Sequence, residues 1–225
     1  MPPPRKPRWL RVEPGEEWHV GRHWFACGDV VGGAELSRLT SGPQIDLVYS
    51  DPPWIDGQAK LYFNQSGRDA GELHPALAIL AAVVGPARER GLLAYVEVGL
   101  PTLDTFVTAL AGLGAKLTGV WDDVYCYRRR IGLLAADFRP QPVEDHPDFG
   151  GLDDAETPLV AMQRRGLRGV VLDPCCGLGK TSRAAVLAGW SSLNHDLVPD
   201  RVARAAEAVS DMTGARPVVA ALPAQ

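Results

Sequence analysis

The chain has 225 residues, 46% of them hydrophobic, and a net charge of −4. That length and apolar content suit one domain with a buried core, and the acidic balance argues against binding nucleic acid by bulk charge while leaving room for a local basic patch. No apolar run is long enough to span a bilayer and no signal-peptide pattern is present. The four cysteines (Cys27, Cys126, Cys175 and Cys176) lack the Cys-x-x-Cys spacing of zinc and redox sites. They read as reduced core thiols of a cytoplasmic protein.

Residues 1–12 begin Pro- and basic-rich (Met1 to Arg8) and are expected to form a flexible arm, with residues 13–225 as the single domain. Glu13 to Asp29 reads as a hairpin turning at Gly21-Arg22 and ending at a carboxylate, Asp29. Ala34 to Leu39 is a short helix. Ile45 to Ser50 is an apolar strand that stops at Asp51-Pro52-Pro53-Trp54. Neither proline can donate to a sheet ladder, so the strand must end there. The carbonyls of Ser50, Asp51 and Pro52 then lack ladder partners. Asp51 adds an acceptor at the carboxyl end of a strand, where open α/β sheets bind ligands, and Trp54 adds a flat wall. Acceptor, carbonyl and stacking surface together suit a planar group that carries an NH2. The plain alternative is a strand end with a packed Trp.

Asp56 to Asp69 reads as a loop over this site, with aromatics Tyr62 and Phe63. Glu72 to Ala87 has helical spacing through Leu73, Leu77, Leu80 and Val84. Gly91 to Val98 is a buried strand containing Glu97, and Pro101 to Leu113 is a helix ended by Gly114. Lys116 to Arg130 reads as two strands joined near Asp122-Asp123. Residues 137–156 are Pro-rich and acidic and read as a loop. Thr157-Pro158 opens a helix to Arg165, with Thr157 as N-cap. The rest alternates: a strand to Asp173, a helix from Thr181, a strand to Asp196, a helix from Pro199, and an edge strand after Arg216. Such alternation implies a parallel sheet with helices on both faces.

Asp173-Pro174-Cys175-Cys176-Gly177-Leu178-Gly179 lies between strand and helix. Its glycines permit a tight turn and a close backbone approach to a ligand. Asp196, ending the next strand, could accept both hydroxyls of a ribose. Gly179-Lys180-Thr181 ends like a phosphate-binding loop. That loop needs a glycine where Pro174 stands, and Pro has no N–H to offer a phosphate.

Asp51-Pro52-Pro53-Trp54 followed by Asp173 to Gly179 resembles the S-adenosylmethionine-dependent amino-methyltransferases, which methylate the exocyclic amine of adenine or cytosine. The catalytic motif precedes the cofactor motif, as in the circularly permuted beta class. The resemblance covers nearly the whole chain. It extends to the hairpin ending at Cys27-Gly28-Asp29, to Thr157-Pro158-Leu159, and to Gly189-Trp190 through Pro199. It implies a Rossmann-like α/β fold with a mostly parallel seven-stranded sheet and an antiparallel terminal strand. It implies S-adenosylmethionine as cofactor, held by Asp29, Asp173, Pro174, Cys175, Gly177, Gly179 and Asp196. Asp51, Pro52, Pro53 and Trp54 would be catalytic. Asp at the first motif position points to adenine N6 in DNA, with cytosine N4, an RNA acceptor and a catalytically silent subunit as alternatives.

The chain departs from the pattern at Cys175, where Phe is usual, and at Leu178-Gly179-Lys180, where Ser-Gly-Thr is frequent. Residues 137–156 would be a shortened target-recognition region. Arg128, Arg129 and Arg130 beside it are the candidate phosphate contacts, although such clusters are ordinarily solvated faces. A dimer would supply contacts that one small chain lacks, and nucleoid association would follow from the substrate.

Overall fold

The computed structural model describes residues 9–67, 73–125, 129–142, 145–153 and 155–220. One sheet runs through the molecule. Its strands in chain order are β1 (Glu17–Val20), β2 (His23–Cys27), β3 (Leu47–Ser50), β4 (Leu93–Gly99), β5 (Lys116–Tyr125), β6 (Arg129–Asp137), β7 (Val170–Asp173), β8 (Ser191–Asp196) and β9 (Pro217–Val219). The helices are α1 (Ala34–Thr40), α2 (Asp56–Ser66), α3 (Ala76–Arg90), α4 (Leu103–Gly112), α5 (Thr157–Arg165), α6 (Lys180–Ala188) and α7 (Pro199–Thr213). Among the described residues no helix is long and apolar enough to cross a membrane.

The spatial order is β5-β6-β4-β3-β7-β8-β2-β1-β9. The centre, β4-β3-β7-β8-β2, is parallel throughout. The outer pairings β4/β6, β6/β5, β2/β1 and β1/β9 are antiparallel. The expectation of seven mostly parallel strands with one antiparallel terminal strand is therefore corrected: the sheet is mixed and nine-stranded. Each edge of the parallel core is extended by a strand pair, and short connections such as the Gly21-Arg22 turn can only reverse direction.

Period-two alternation sorts the strands onto two faces. On one face Val48, Val96 and Val98 pack with Leu36 and Leu39 of α1, Leu80 and Val84 of α3, and Phe106 and Leu110 of α4. On the other, Leu47, Tyr49 and Tyr95 pack with Ala161 and Met162 of α5, Ala184 of α6, and Trp190. Val20 and Phe25 meet Val202, Ala206 and Val209 of α7.

Several expectations change. Residues 56–66, read as loop, form α2: Ala59 and Phe63 recur at helical spacing and are buried, and Gly67 ends the helix with φ 75°. The buried face of α3 is Leu80, Val83, Val84 and Ala87, while Leu73 and Leu77 are exposed. No turn occurs at Asp122-Asp123. β5 continues to Tyr125, and Asp122 simply points outward beside half-buried Trp121. Thr157 is not the N-cap of α5. It is fully buried and its hydroxyl donates to the Asp153 carbonyl at 3.1 Å.

Of the expected arm, residues 1–8 lie outside the described residues. Leu10 and Val12 are buried with the α7 cluster, and the Trp9 and Leu10 amides donate to Glu207 Oε1 at 3.0 and 2.9 Å. Residues 137–156 begin with the last residue of β6, since Asp137 closes that strand and binds Arg139 Nε and Nη2. Beyond it, His146 bonds both Tyr95 OH (2.9 Å) and Thr118 Oγ1 (2.8 Å). Phe149, fully buried, meets Tyr95 and Trp121 edge-on with centroids 5.1 and 5.0 Å away. The described part of this segment is thus fastened to the sheet.

Candidate functional site

Parallel strands β3, β7, β8 and β4 bring their carboxyl ends to one side of the sheet. Asp51, Asp173, Asp196 and Gly99 stand there because each strand ends at that level. Asp51 follows fully buried Ser50, and Pro52 and Pro53 are buried beside it. Trp54 Nε1 donates to Asp51 Oδ1 at 2.9 Å, and the Trp54 amide donates to Gln58 Oε1 at 2.7 Å. The indole lies on the backbone of Gly99. A Cβ there would come within 2.7 Å of the ring, so β4 must end in glycine for Trp54 to take this place.

Asp51 Oδ2 faces Lys180 Nζ at 3.7 Å. The same ammonium bonds Glu97 Oε2, and the other Glu97 oxygen accepts from Tyr49 OH at 2.6 Å. Glu97 is wholly buried in β4, and that burial raises its pKa against the pull of Lys180. In the sequence Lys180 stands only as the end of a pattern that Pro174 excludes from phosphate binding. Its signal was a cation directly after Gly179, where a small hydroxyl residue is frequent, together with an acid inside an apolar strand.

The glycine turn is held from both sides. Cys176 N donates to His195 O at 2.8 Å and Gly179 N to Cys176 O at 2.8 Å. Gly177 and Gly179 have φ of 53° and 80°, and a Cβ on Gly179 would meet Ala205 Cβ at 2.8 Å. Asp173 is buried. Its Oδ1 accepts from Ser50 Oγ (3.0 Å) and the Cys175 amide (3.2 Å), and desolvation pushes its pKa up to about 6. Burial also pushes the Cys175 thiol up, so it stays protonated. Asp196 accepts from Gly177 N through Oδ2 and from Val198 N through Oδ1, both at 2.9 Å. Each of those oxygens keeps a second lone pair for a ligand. Asp29 accepts from Val31 N at 2.9 Å, and its Oδ2 lies 3.4 Å from His74 Nε2.

These residues line two adjoining cavities. One is bordered by Asp29, Phe63, His74, His195, Asp196 and Leu197. The other is bordered by Asp51, Pro52, Trp54, Gly177, Lys180 and Arg183. Asp51, Tyr62, Cys175 and Arg201 border both. Tyr62 and Arg201 form a partition: the guanidinium carbon sits 3.9 Å from the ring centroid. His195 is fully buried, with Nδ1 on the Pro174 carbonyl at 3.1 Å; its Nε2 has no partner among the described residues.

The basic triplet is divided. Arg128 lies outside the described residues. Arg129 begins β6, and exposed Arg130 is paired with Asp122 across the hairpin. Because Ile131 is in register with Gly99, this end of the hairpin is on the same side of the sheet as Trp54. The cations that line the cleft itself are Lys180, Arg183 and Arg201.

No protein-family model matches the chain, and no curated protein matches it. Solved structures do. A putative DNA modification methylase from Thermus thermophilus, TTHA0409, superposes with a TM-score of 0.61 at 19% identity, over 85% of this chain and 95% of that one. M1.HpyAVI in complex with SAM gives 0.56 at 13%, over 81% and 97%. The cytosine-N4-specific PvuII DNA methyltransferase gives 0.56 at 13%, over 92% and 95%. At these identities the likeness establishes a shared fold.

Proposed function

We propose that this chain transfers a methyl group from S-adenosylmethionine to the exocyclic amine of a nucleobase in DNA, with adenine N6 as the acceptor, in the permuted arrangement of the beta class. One observation carries the reading. The Asp51 carboxylate, aimed by Trp54, borders two adjoining cavities, one walled by the Asp196 carboxylate and the other by the glycine turn at Gly177.

The first cavity fits the cofactor. Its apolar walls at Phe63 and Leu197 suit a purine, Asp29 offers an acceptor to an adenine amine, and Asp196 retains lone pairs for a ribose. Gly177 borders the second cavity, so the amino-acid end would reach the turn across the shared rim at Asp51 and Cys175. Bound there, S-adenosylmethionine supplies an electrophilic methyl group.

The second cavity receives the acceptor base, unstacked. Asp51 Oδ2 takes a hydrogen bond from the amine and the Pro52 carbonyl takes the second, which leaves the nitrogen lone pair pointing toward the first cavity. Trp54 covers the ring. The carboxylate orients and stabilises developing positive charge, and its Oδ2 is the nearest acceptor for the proton the methylated amine sheds. Arg183 and Arg201 at the cleft, and exposed Arg130 on the hairpin, are the candidate contacts for backbone phosphates.

Cytosine N4 is the second reading. It is favoured by the likeness to the cytosine-N4-specific PvuII enzyme over 92% of this chain. Incubation with labelled cofactor and double-stranded DNA, single-stranded DNA or RNA, followed by nucleoside mass spectrometry, decides among them. N6-methyladenine in DNA is the expected product. N4-methylcytosine would move the assignment to the second reading, and absence of any methylated base would reject both.

A further inference from the structure

Lys180 is the costly feature of the cleft. Glu97 is carried in the middle of the sheet at 0% exposure, and an isolated buried carboxylate is expensive. Tyr49 from β3 and Lys180 from α6 are its partners, so three elements converge on one acid. The outcome is a fixed ammonium whose side chain is 15% exposed and which borders the same cavity as Asp51 and Trp54. At 3.7 Å its contact with Asp51 Oδ2 is Coulombic, too long for a hydrogen bond. An acceptor-only head and a donor-only head thus stand side by side over the cavity, one fixed by Trp54 and the other by Glu97.

Flipped bases are read along their Watson–Crick edge. Adenine and cytosine each place an amino donor next to a ring-nitrogen acceptor. Thymine and the keto–imide side of guanine present the opposite order. From this match, and resting on the amine-transfer reading above, we infer that Lys180 is a specificity-determining residue that donates a hydrogen bond to the ring nitrogen beside the target amine while Asp51 accepts from the amine. The pair admits adenine or cytosine and sets an unpaired donor or acceptor against thymine and the guanine keto–imide edge. A Lys180–Glu97 pair that merely stapled α6 to β4 would affect stability and leave base discrimination alone.

The test compares oligonucleotides carrying adenine, 1-deazaadenine (amine kept, ring acceptor removed) and 7-deazaadenine, or cytosine and 3-deazacytosine if cytosine is the acceptor. For the wild type, removing the acceptor should lower kcat/KM by on the order of 10- to 100-fold, the range of a hydrogen bond from a charged donor, with 7-deazaadenine near adenine. In Lys180→Met the adenine rate should fall toward the 1-deaza rate and the discrimination should vanish. Any intrinsic difference in amine reactivity cancels in that cycle. Lys180→Met combined with Glu97→Gln removes the buried charge left behind; circular dichroism and thermal melting verify that each variant is folded, and calorimetry reads its affinity for S-adenosylmethionine separately. Unchanged discrimination in the folded variants would overturn the assignment. So would a loss confined to cofactor affinity, which would place Lys180 on the cofactor's carboxylate instead. A wild type that methylates 1-deazaadenine as fast as adenine sinks this inference alone; a wild type that methylates no base sinks the transfer reading and this inference with it.

Discussion

The parallel centre and the antiparallel flank of the sheet use charge in opposite ways. At the carboxyl ends of β3, β4 and β7, Asp51, Glu97, Asp173 and Lys180 are gathered where solvent is scarce: Glu97 is inaccessible and Asp173 nearly so. On the flank the pairs Arg130–Asp122 and Arg164–Asp145 are exposed, and the buried acid Asp137 at the end of β6 is closed off by Arg139. Cohesion there comes from an aromatic box of Tyr95, Trp121, Phe149 and His146. Buried charge costs stability and gains strength from the low dielectric, and at the centre several such groups face a cavity together, whereas Asp137 faces only Arg139. Surface pairs do little in either direction. In the proposed function the flank is a wall and the centre the reacting site.

Substitutions can break that division of labour. The largest effect should come from Asp51→Ala: methyl transfer falls by on the order of 10³-fold or more, while calorimetric affinity for S-adenosylmethionine changes little. Transfer at near wild-type rate would remove Asp51 from the chemistry. Phe149→Ala should act only on the wall. It empties a fully buried aromatic site and costs about 3–5 kcal/mol of stability by denaturant titration, with kcat retained where the protein is still folded.

The pH response of Asp173 sharpens the contrast. Its folded pKa, about 6, lies above the unfolded value, so the native state binds the extra proton. Its contribution to stability is then present at low pH and lost as pH rises through that window, by on the order of 2–3 kcal/mol. Denaturation midpoints from pH 4 to 7 should fall more steeply for wild type than for Asp173→Asn; parallel curves would show that burial does not shift this acid.

The smallest effects concern phosphate contacts. Arg183→Ala, in the cleft, should reduce the slope of log affinity against log salt for DNA by about one. Arg130→Ala should change stability by no more than about 1 kcal/mol, because its partner Asp122 is exposed as well. A larger salt effect at Arg130 than at Arg183 would move the backbone path from the cleft to the hairpin.

Local chemistry made part of this molecule legible in the residues themselves. Prolines 52 and 53 end a strand whatever surrounds them, so Asp51 at a strand terminus followed from the sequence alone. Gly177 and Gly179 between an apolar strand and a helix likewise announced the tight turn, and positive φ at both is what that turn demands. The strand–helix alternation from Thr157 to Thr213 was readable because each element carries its own period and punctuation. Tertiary structure decided the rest. α2 is helical because Ala59 and Phe63 find a surface to bury against, although Gly57 and the polar residues around it read as loop. β5 runs on through Asp122-Asp123 because β6 pairs along its length, and Asp122 faces outward. Lys180 meets Glu97 across 83 residues of chain, and Arg201 covers Tyr62 from another helix. A local pattern encodes which face of an element is apolar, but not which distant side chain will stand opposite once the faces are joined. The acceptor end of the site was therefore written in one short stretch, and its donor partner emerged only when β3, β4 and α6 were brought together.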